Sequence, residues 1–443
     1  MTRLSGWGRY PTTETTLARP STPEAARIAT AELKGSIARG NGRAYGDAAI
    51  GTSSTISMKA LDRFRSFDGE AGRVTVEAGV LLADLIRVLL PRGFFPKVVP
   101  GTCFVTIGGA IAADVHGKNH HIDGGFGDHV GSLVLATAAG EVVRASRNEN
   151  ADLFFATIGG MGLTGTILEA TLDLRRVETG WIWQRTIVAP DLAAALAALD
   201  ASETATYSVA WIDGAAKGAS LGRSLVFLGE HVRLDELDGK ALANPFPRLE
   251  DPFFSVPVDF PSFALNRWSV GAFNELYFRL GARRAGDPFL VAAKPYFFPL
   301  DGLGAWNRIY GRHGFLQHQC VLPADRGPAA LAEILGRVTA HGNASFLAVL
   351  KKLGPSNGLL SFPFPGYTLA LDFPLTRKSF DFLEVLDRLV VAAGGRLYLA
   401  KDARQSAATF EAGYPSLNRF REIRKMVDPS GRIRSCLAER LTI

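Results

Sequence analysis

Four glycine-rich segments crowd the first 165 residues of this 443-residue chain: RGNGRAYGD at 39–47, PGTCFVTIGG at 100–109, GKNHHIDGGFG at 117–127 and GGMGLTG at 159–165. A glycine has no Cβ and reaches positive φ without strain, so successive N–H groups can turn into one concavity and hold a diphosphate without many lysines. Gly108 and Gly109 also open a predicted helix, whose positive end suits an anion. One such loop would be an ordinary tight turn. Four in one region point to a bound dinucleotide. They do not spell the G-x-G-x-x-G fingerprint of a βαβ unit: Gly40-Asn41-Gly42 follows a predicted strand, yet no third glycine stands at the expected place and no acidic ribose ligand ends a second strand. A nicotinamide dehydrogenase is therefore disfavoured.

The chain is too long for one ordinary core, so two substantial domains are expected. Its 47% hydrophobic and 21% charged residues are those of a folded protein. The net charge of +6 is dispersed among acids. It reads either as a mildly basic surface or as an attraction for an anionic substrate or membrane face. No basic helix or basic-aromatic strand suggests nucleic acid. Cys103, Cys320 and Cys436 lie too far apart for a disulfide framework or a zinc site. The first residues, MTRLSGWGRYPTTETT, contain no apolar core for a signal peptide, and no run approaches the roughly 18 apolar residues of a spanning helix. The expectation is a cytoplasmic protein, at most peripheral at the inner face of the cell membrane.

Thr22-Pro23-Glu24 opens a predicted helix to Lys34, with an N-cap followed by proline in the first turn. Strands are expected at 36–38, 74–78 and 94–99, a helix at 81–90, a hairpin across 130–145 turning near Ala139-Gly140, a helix at 152–157 and a strand at 166–174. After about Glu178 glycine loops become sparse. A helix is expected at 191–199, strands at 315–321, 346–351 and 368–373, and a helix at 378–393. The Pro- and Phe-rich stretch 244–268 has no clear period and reads as an ordered loop, with a lid or a membrane-touching flap as alternatives.

RGNGRAYGD at 39–47, PGT with TIGGAIAADVHGKNHH across 100–121, and ATIGGMGLTG at 156–165 resemble the flavin domain of the vanillyl-alcohol-oxidase superfamily. Adding FLQHQ (315–319), SFLAVLKKLGPSN (345–357), GYTLALDFP (366–374), GGRLYLAKDAR (394–404) and KMVDPSGRI (425–433), nearly the whole chain resembles its decaprenylphosphoryl-ribose oxidase family. The resemblance implies an α+β, two-domain PCMH-type FAD-binding fold. Residues 1–178 would bind FAD, 179–394 would form an inserted substrate domain on an antiparallel sheet, and 395–443 would return to the FAD domain.

It further implies that FAD is held by Arg39, Gly40, Asn41, Gly42, Arg43, Ala44, Tyr45, Gly101, Thr102, Thr106, Gly108, Gly109, Ala113, His116, Gly117, Asn119, His120, Gly162, Thr164, Gly165, Tyr398 and Lys401. Substrate would be met by Lys118, Gln317, Gln319, Lys351, Thr368, Ala370, Tyr398 and Lys401, the lysines taking a phosphate and the glutamines the ribose hydroxyls. Lys401, His116 and Tyr45 are the catalytic candidates. Lys401 lies in a strand-like context, where a lysine costs burial energy unless it meets an anion or a polar flavin edge. A cation there would stabilise charge that develops on hydride transfer. His116, His120 and His121 could suggest a metal, but intervening glycine and the missing carboxylate disfavour it, and no metal is expected.

Two departures stand out. Arg43 occupies the position where covalent relatives read histidine, which implies noncovalent FAD, and Ala370 stands where family members carry a cysteine, which loosens the substrate detail. The reaction implied is oxidation of the 2-hydroxyl of a lipid-linked (polyprenylphosphoryl) pentose to the 2-keto sugar. A partner short-chain reductase would complete the epimerisation. A soluble FAD-dependent sugar or alditol oxidase and a non-catalytic flavin-binding membrane protein are the alternatives.

Overall fold

The computed structural model describes residues 1–249, 254–261, 266–342, 345 and 347–443. The chain begins with a mixed four-stranded sheet of β1 (Thr2–Ser5), β2 (Thr12–Ala18), β3 (Ser36–Arg39) and β4 (Ser54–Ser57), in the order β1-β2-β4-β3. β3 and β4 run parallel, joined through the first glycine loop. Helix α1 (Pro23–Glu32) packs beside them, started as its sequence dictates: Thr22 Oγ1 accepts from Ala25 N at 3.1 Å, and Pro23 fills the first turn.

A second, antiparallel sheet follows: β5 (Phe64–Asp68), β6 (Arg73–Glu77), β7 (Phe94–Pro96), β8 (Val130–Ala136), β9 (Val142–Ser146) and β10 (Thr166–Arg176). Alternation along β6 buries Val74 and Val76 against helices α2 (Leu82–Leu89) and α3 (Ile107–Ala112). α2 contributes Leu82, Leu85, Ile86 and Leu89 at helical spacing.

The third sheet is antiparallel throughout: β11 (Trp181–Ala189), β12 (Tyr207–Ile212), β13 (Ser224–His231), β15 (Phe289–Ala292), β17 (Phe315–Pro323), β18 (Ala348–Leu353), β19 (Gly366–Pro374) and β20 (Arg396–Leu397), in the order β15-β11-β13-β12-β18-β19-β17-β20. Short β14 (Phe254–Ser255) and β16 (Leu303–Gly304) pair separately. Helices Leu192–Asp200, Gly327–His341 and Arg377–Ala392 cover one face of the large sheet and bury Leu316, Cys320, Leu350, Leu369, Leu371 and Phe373. The opposite face is left for the site. The architecture is α+β, as expected. Beyond β20 the chain rejoins the first sheet, where Ser36 N donates to Arg432 O at 3.0 Å and Arg434 N to Ser36 O at 2.8 Å. Among the described residues no helix is long and apolar enough to cross a membrane.

Three local expectations need correction. The strand expected over 94–99 ends at Pro96, because proline has no N–H to extend the ladder. The strand expected over 346–351 runs from Ala348 to Leu353, and Phe346 lies outside the described residues. Lys401 sits in a turn after β20: Lys401 N donates to Tyr398 O at 3.0 Å, and the Asp402 carboxylate caps the next bend by accepting from Arg404 N and Gln405 N. Of the stretch 244–268, residues 250–253 and 262–265 lie outside the described residues.

Asp387 ties the covering helix Arg377–Ala392 to the sheet and to the returning tail. It accepts from Arg404 at 2.6 and 2.7 Å and meets His318 at 3.2 Å, all three nearly enclosed. Removing it strands a buried guanidinium. Asp387→Ala is expected to lower stability by about 3 kcal/mol, measured by chemical denaturation at neutral pH; a change within about 0.5 kcal/mol would refute this role.

Candidate active site

Side chains alternate across a strand, so every second residue of the uncovered sheet face points the same way. Gln317 and Gln319 of β17, Thr368, Ala370 and Asp372 of β19, and Lys351 of β18 follow this spacing, with Gln319 opposite Ala370 and Gln317 opposite Asp372. All of these but Asp372 line a cavity of about 530 Å³, whose other wall is made by the glycine loops of the N-terminal region.

That wall has unused donors. Among the described residues, the backbone N–H groups of Asn41, Gly42, Arg43 and Ala44 find no protein acceptor, in a loop bent through Gly42 at φ +66°. Such a row of bare donors suits a diphosphate. The loop is pinned at both ends. Tyr45 N donates to Ala400 O at 2.9 Å, Asn41 Nδ2 to Phe104 O at 2.9 Å, and a Cβ on Gly40 would lie 2.1 Å from Thr106 Oγ1. Gly101, Thr102, Thr106, Gly108, Gly109, Ala113, Gly117, Gly162 and Gly165 complete this side. The donors, the missing side chains and the size of the cavity fit FAD.

Lys118, Lys351 and Lys401 also line the cavity, and among the described residues none closes an ion pair with a carboxylate. Burial pulls all three down: Lys118 to about 7, helped by Lys351; Lys351 to about 8; and Lys401 to about 7, with Asp372 opposing and Lys351 assisting. Lys118 Nζ donates to Tyr296 O and lies 4.1 Å from the Tyr296 ring centre. Lys401 Nζ stands 3.6 Å over the Tyr45 ring. His116 is buried between Phe362 and Tyr398, and its Nε2 meets Gln319 Nε2 at 3.0 Å. Burial and then Lys351 hold its imidazole well below the usual histidine range, so it is neutral and accepts from the amide. Gln319 Nε2 also reaches Thr368 Oγ1 at 3.3 Å, and Tyr398 OH donates to Ala113 O at 3.0 Å. Arg43 also lines the cavity, its guanidinium 4.0 Å over the Trp7 ring.

Four residues expected at the cofactor lie behind the wall. The Arg39 guanidinium is spent on Ser5 O and Ala49 O. Asn119 Nδ2 bonds Lys97 O and Asp123. His120 Nδ1 accepts from Gly354 N, and Thr164 Oγ1 pairs with Thr157 Oγ1. Two carboxylates are additions. Asp301 accepts from Thr102 Oγ1 at 2.8 Å and Cys103 N at 2.7 Å. Asp372 accepts from Gln317 Nε2 at 2.6 Å and Tyr310 OH at 3.1 Å, and burial raises it to about 6. Asp372 was within reach of period-two reasoning from Thr368 and Ala370; nothing local marks Asp301.

Residues 19–146 match the FAD binding domain family, and residues 371–441 match D-arabinono-1,4-lactone oxidase. Over the whole of this chain, and 97% of that protein, the sequence is 40% identical to decaprenylphosphoryl-β-D-ribose oxidase of Mycolicibacterium smegmatis. The chain belongs to the decaprenylphosphoryl-β-D-ribose oxidase family. An uncharacterized protein of Streptomyces coelicolor is 37% identical over 82% of this chain and all of its own length. L-gulonolactone oxidase of Bos taurus is 35% identical over 30% of each chain. This member of the decaprenylphosphoryl-β-D-ribose oxidase family is an FAD-dependent oxidoreductase of the PCMH-type superfamily.

A Cβ on Gly101 would meet no protein atom within 4 Å, so a side chain there collides only with what the cavity holds. Gly101→Val is expected to lower bound FAD, read from visible absorbance per protein, roughly ten-fold while leaving the thermal midpoint of the FAD-free protein unchanged. Full flavin content in that variant would count against this placement of the cofactor.

Proposed function

We propose that this chain oxidises the 2-hydroxyl of a polyprenylphosphoryl pentose to the 2-keto sugar, the first half of an epimerisation that a partner short-chain reductase completes. The observation that carries the reading is the set of three lysines, unpaired by carboxylates among the described residues, around a largely apolar cavity. Such a cavity selects an anion attached to an apolar body. The name of the Mycolicibacterium smegmatis relative carries the same combination.

Bound FAD supplies the acceptor for a hydride equivalent from the alcohol carbon. The chain's own residues bind and orient. Lys118 and Lys351 take the phosphate. Gln319, its amide nitrogen committed to His116 and Thr368, leaves its carbonyl oxygen to accept from a sugar hydroxyl. Lys401, above the Tyr45 ring, holds positive charge where negative charge develops. Arg43 cannot form the histidine-type link to flavin, so FAD is held noncovalently, and acid precipitation should release yellow colour to the supernatant. The match of residues 371–441 to D-arabinono-1,4-lactone oxidase favours a second reading, a sugar oxidase acting on an unphosphorylated substrate; the three lysines argue against it.

The test is anaerobic bleaching of the flavin by a short-prenyl phosphopentose and by the same sugar without phosphate. Bleaching by the phosphate compound alone is expected; equal rates would establish the second reading. Lys401→Met should keep FAD yet slow bleaching by roughly 100-fold. Lys351→Met should weaken apparent substrate binding by about ten-fold or more.

The ammonium form is the one that binds phosphate, so affinity is expected to be highest below about pH 7 and to fall as pH rises through about 8, where Lys351 loses its charge. Affinity that holds constant from pH 6 to pH 9 would remove the lysines from phosphate binding.

A further inference from the structure

Two glutamines on the uncovered sheet face present the same chemistry to the cavity. Gln317 and Gln319 stand two residues apart on β17, so their side chains leave the strand on one side, about 7 Å from each other. Gln319 has its amide nitrogen on His116 Nε2 and Thr368 Oγ1. Gln317 has its own on Asp372 at 2.6 Å, and the same amide stands as a donor beside the Tyr45 hydroxyl. Both residues line the cavity, and among the described residues no hydrogen bond ends on either amide oxygen.

Asp372 fixes the first of these amides. At neutral pH, above the value of about 6 to which burial raises it, its carboxylate only accepts. One carboxylate oxygen takes Gln317 and the other takes Tyr310 OH at 3.1 Å, while Asp372 N donates to Ser345 Oγ at 2.8 Å. A turned Gln317 would set oxygen against oxygen, so its nitrogen stays on Asp372 and its oxygen faces the cavity. Gln317 is also the glutamine beside the cation, because the Tyr45 ring lies under the Lys401 ammonium and Asp372 acts on that ammonium.

We propose that Asp372 is a positioning residue through which the site distinguishes the alcohol from the ketone formed from it. Held by Asp372, the Gln317 oxygen accepts from the hydroxyl that is to be oxidised and repels the carbonyl oxygen that replaces it. Oxidation sends a hydride equivalent from the carbon to FAD and releases the hydroxyl proton, so the product has no donor left for Gln317. The same contact that orients the substrate thereby favours departure of the product. This rests on the substrate reading above.

The test uses FAD-loaded protein and initial rates of anaerobic bleaching by a short-prenyl phosphopentose. Two competitors are added, its 2-keto product and its 2-deoxy-2-fluoro analogue, whose fluorine carries no proton to donate. In the native protein both are expected to bind roughly ten-fold more weakly than the alcohol, as inhibition constant against half-saturation for bleaching. Asp372→Asn, whose carboxamide can donate to a turned Gln317, should bring that ratio close to one. Gln317→Met should do the same, and adding Asp372→Asn to it should change the ratio no further, which a merely structural role for Asp372 does not produce. Equal binding of all three compounds to the native protein, a ratio that Asp372→Asn leaves unchanged, or a further change on the Gln317→Met background overturns the inference. If Asp372→Asn fails to fold, the native ratio and Gln317→Met decide. A flavin that the phosphopentose does not bleach removes the substrate reading and this inference with it; bleaching with any of the three overturning results removes this inference alone.

Discussion

One backbone hydrogen bond, from Tyr45 N to Ala400 O, joins the two halves of the site. It fastens the first glycine loop, residue 40 onward, to the turn that carries Lys401, more than 350 positions later in the chain. The same junction sets the Tyr45 ring under the Lys401 ammonium and leaves no room for side chains: a Cβ on Gly46 would stand 2.0 Å from Asp402 O. Around it, Arg440 holds both Asp47 and Asp402. The loop with the bare N–H groups and the ammonium over the Tyr45 ring are therefore parts of one junction. The His116–Gln319 and Tyr398–Ala113 bonds join the same two sides beside it.

The large sheet supplies the opposite wall by strand alternation. Its helix-covered face is a conventional aliphatic core, and its other face places amides, a lysine and a buried carboxylate at regular intervals. Asp372 is the counterweight to Lys401. Its own partners, Gln317 and Tyr310, keep it from collapsing onto Lys401, and its field moderates the lysine's loss of charge. A cavity this short of counter-ions is costly to build, and the cost is offset when an anion arrives.

Much of this was legible in the sequence. The glycine loops line the cavity because only residues without Cβ let backbone approach a ligand, and Thr22 capped its helix because the capping oxygen and Pro23 act locally. What escaped was tertiary. Arg39, Asn119, His120 and Thr164 sit within the expected motifs, but their side chains are spent on Ser5, Lys97, Gly354 and Thr157, and no motif reveals which way a side chain turns. Asp301 and Trp7 reach the site from segments with no signature of their own. Lys401 looked strand-borne from its apolar neighbours; Asp402, capping the bend, decided otherwise.

The three part-neutralised ammonium groups also change what substrate capture is. On the proposed reading, a phosphate entering this cavity near pH 8 would meet lysines that have given up part of their protons, and its charge would draw those protons back from water. Binding would then be a proton-consuming event, with a heat that depends on the ionisation enthalpy of the surrounding buffer.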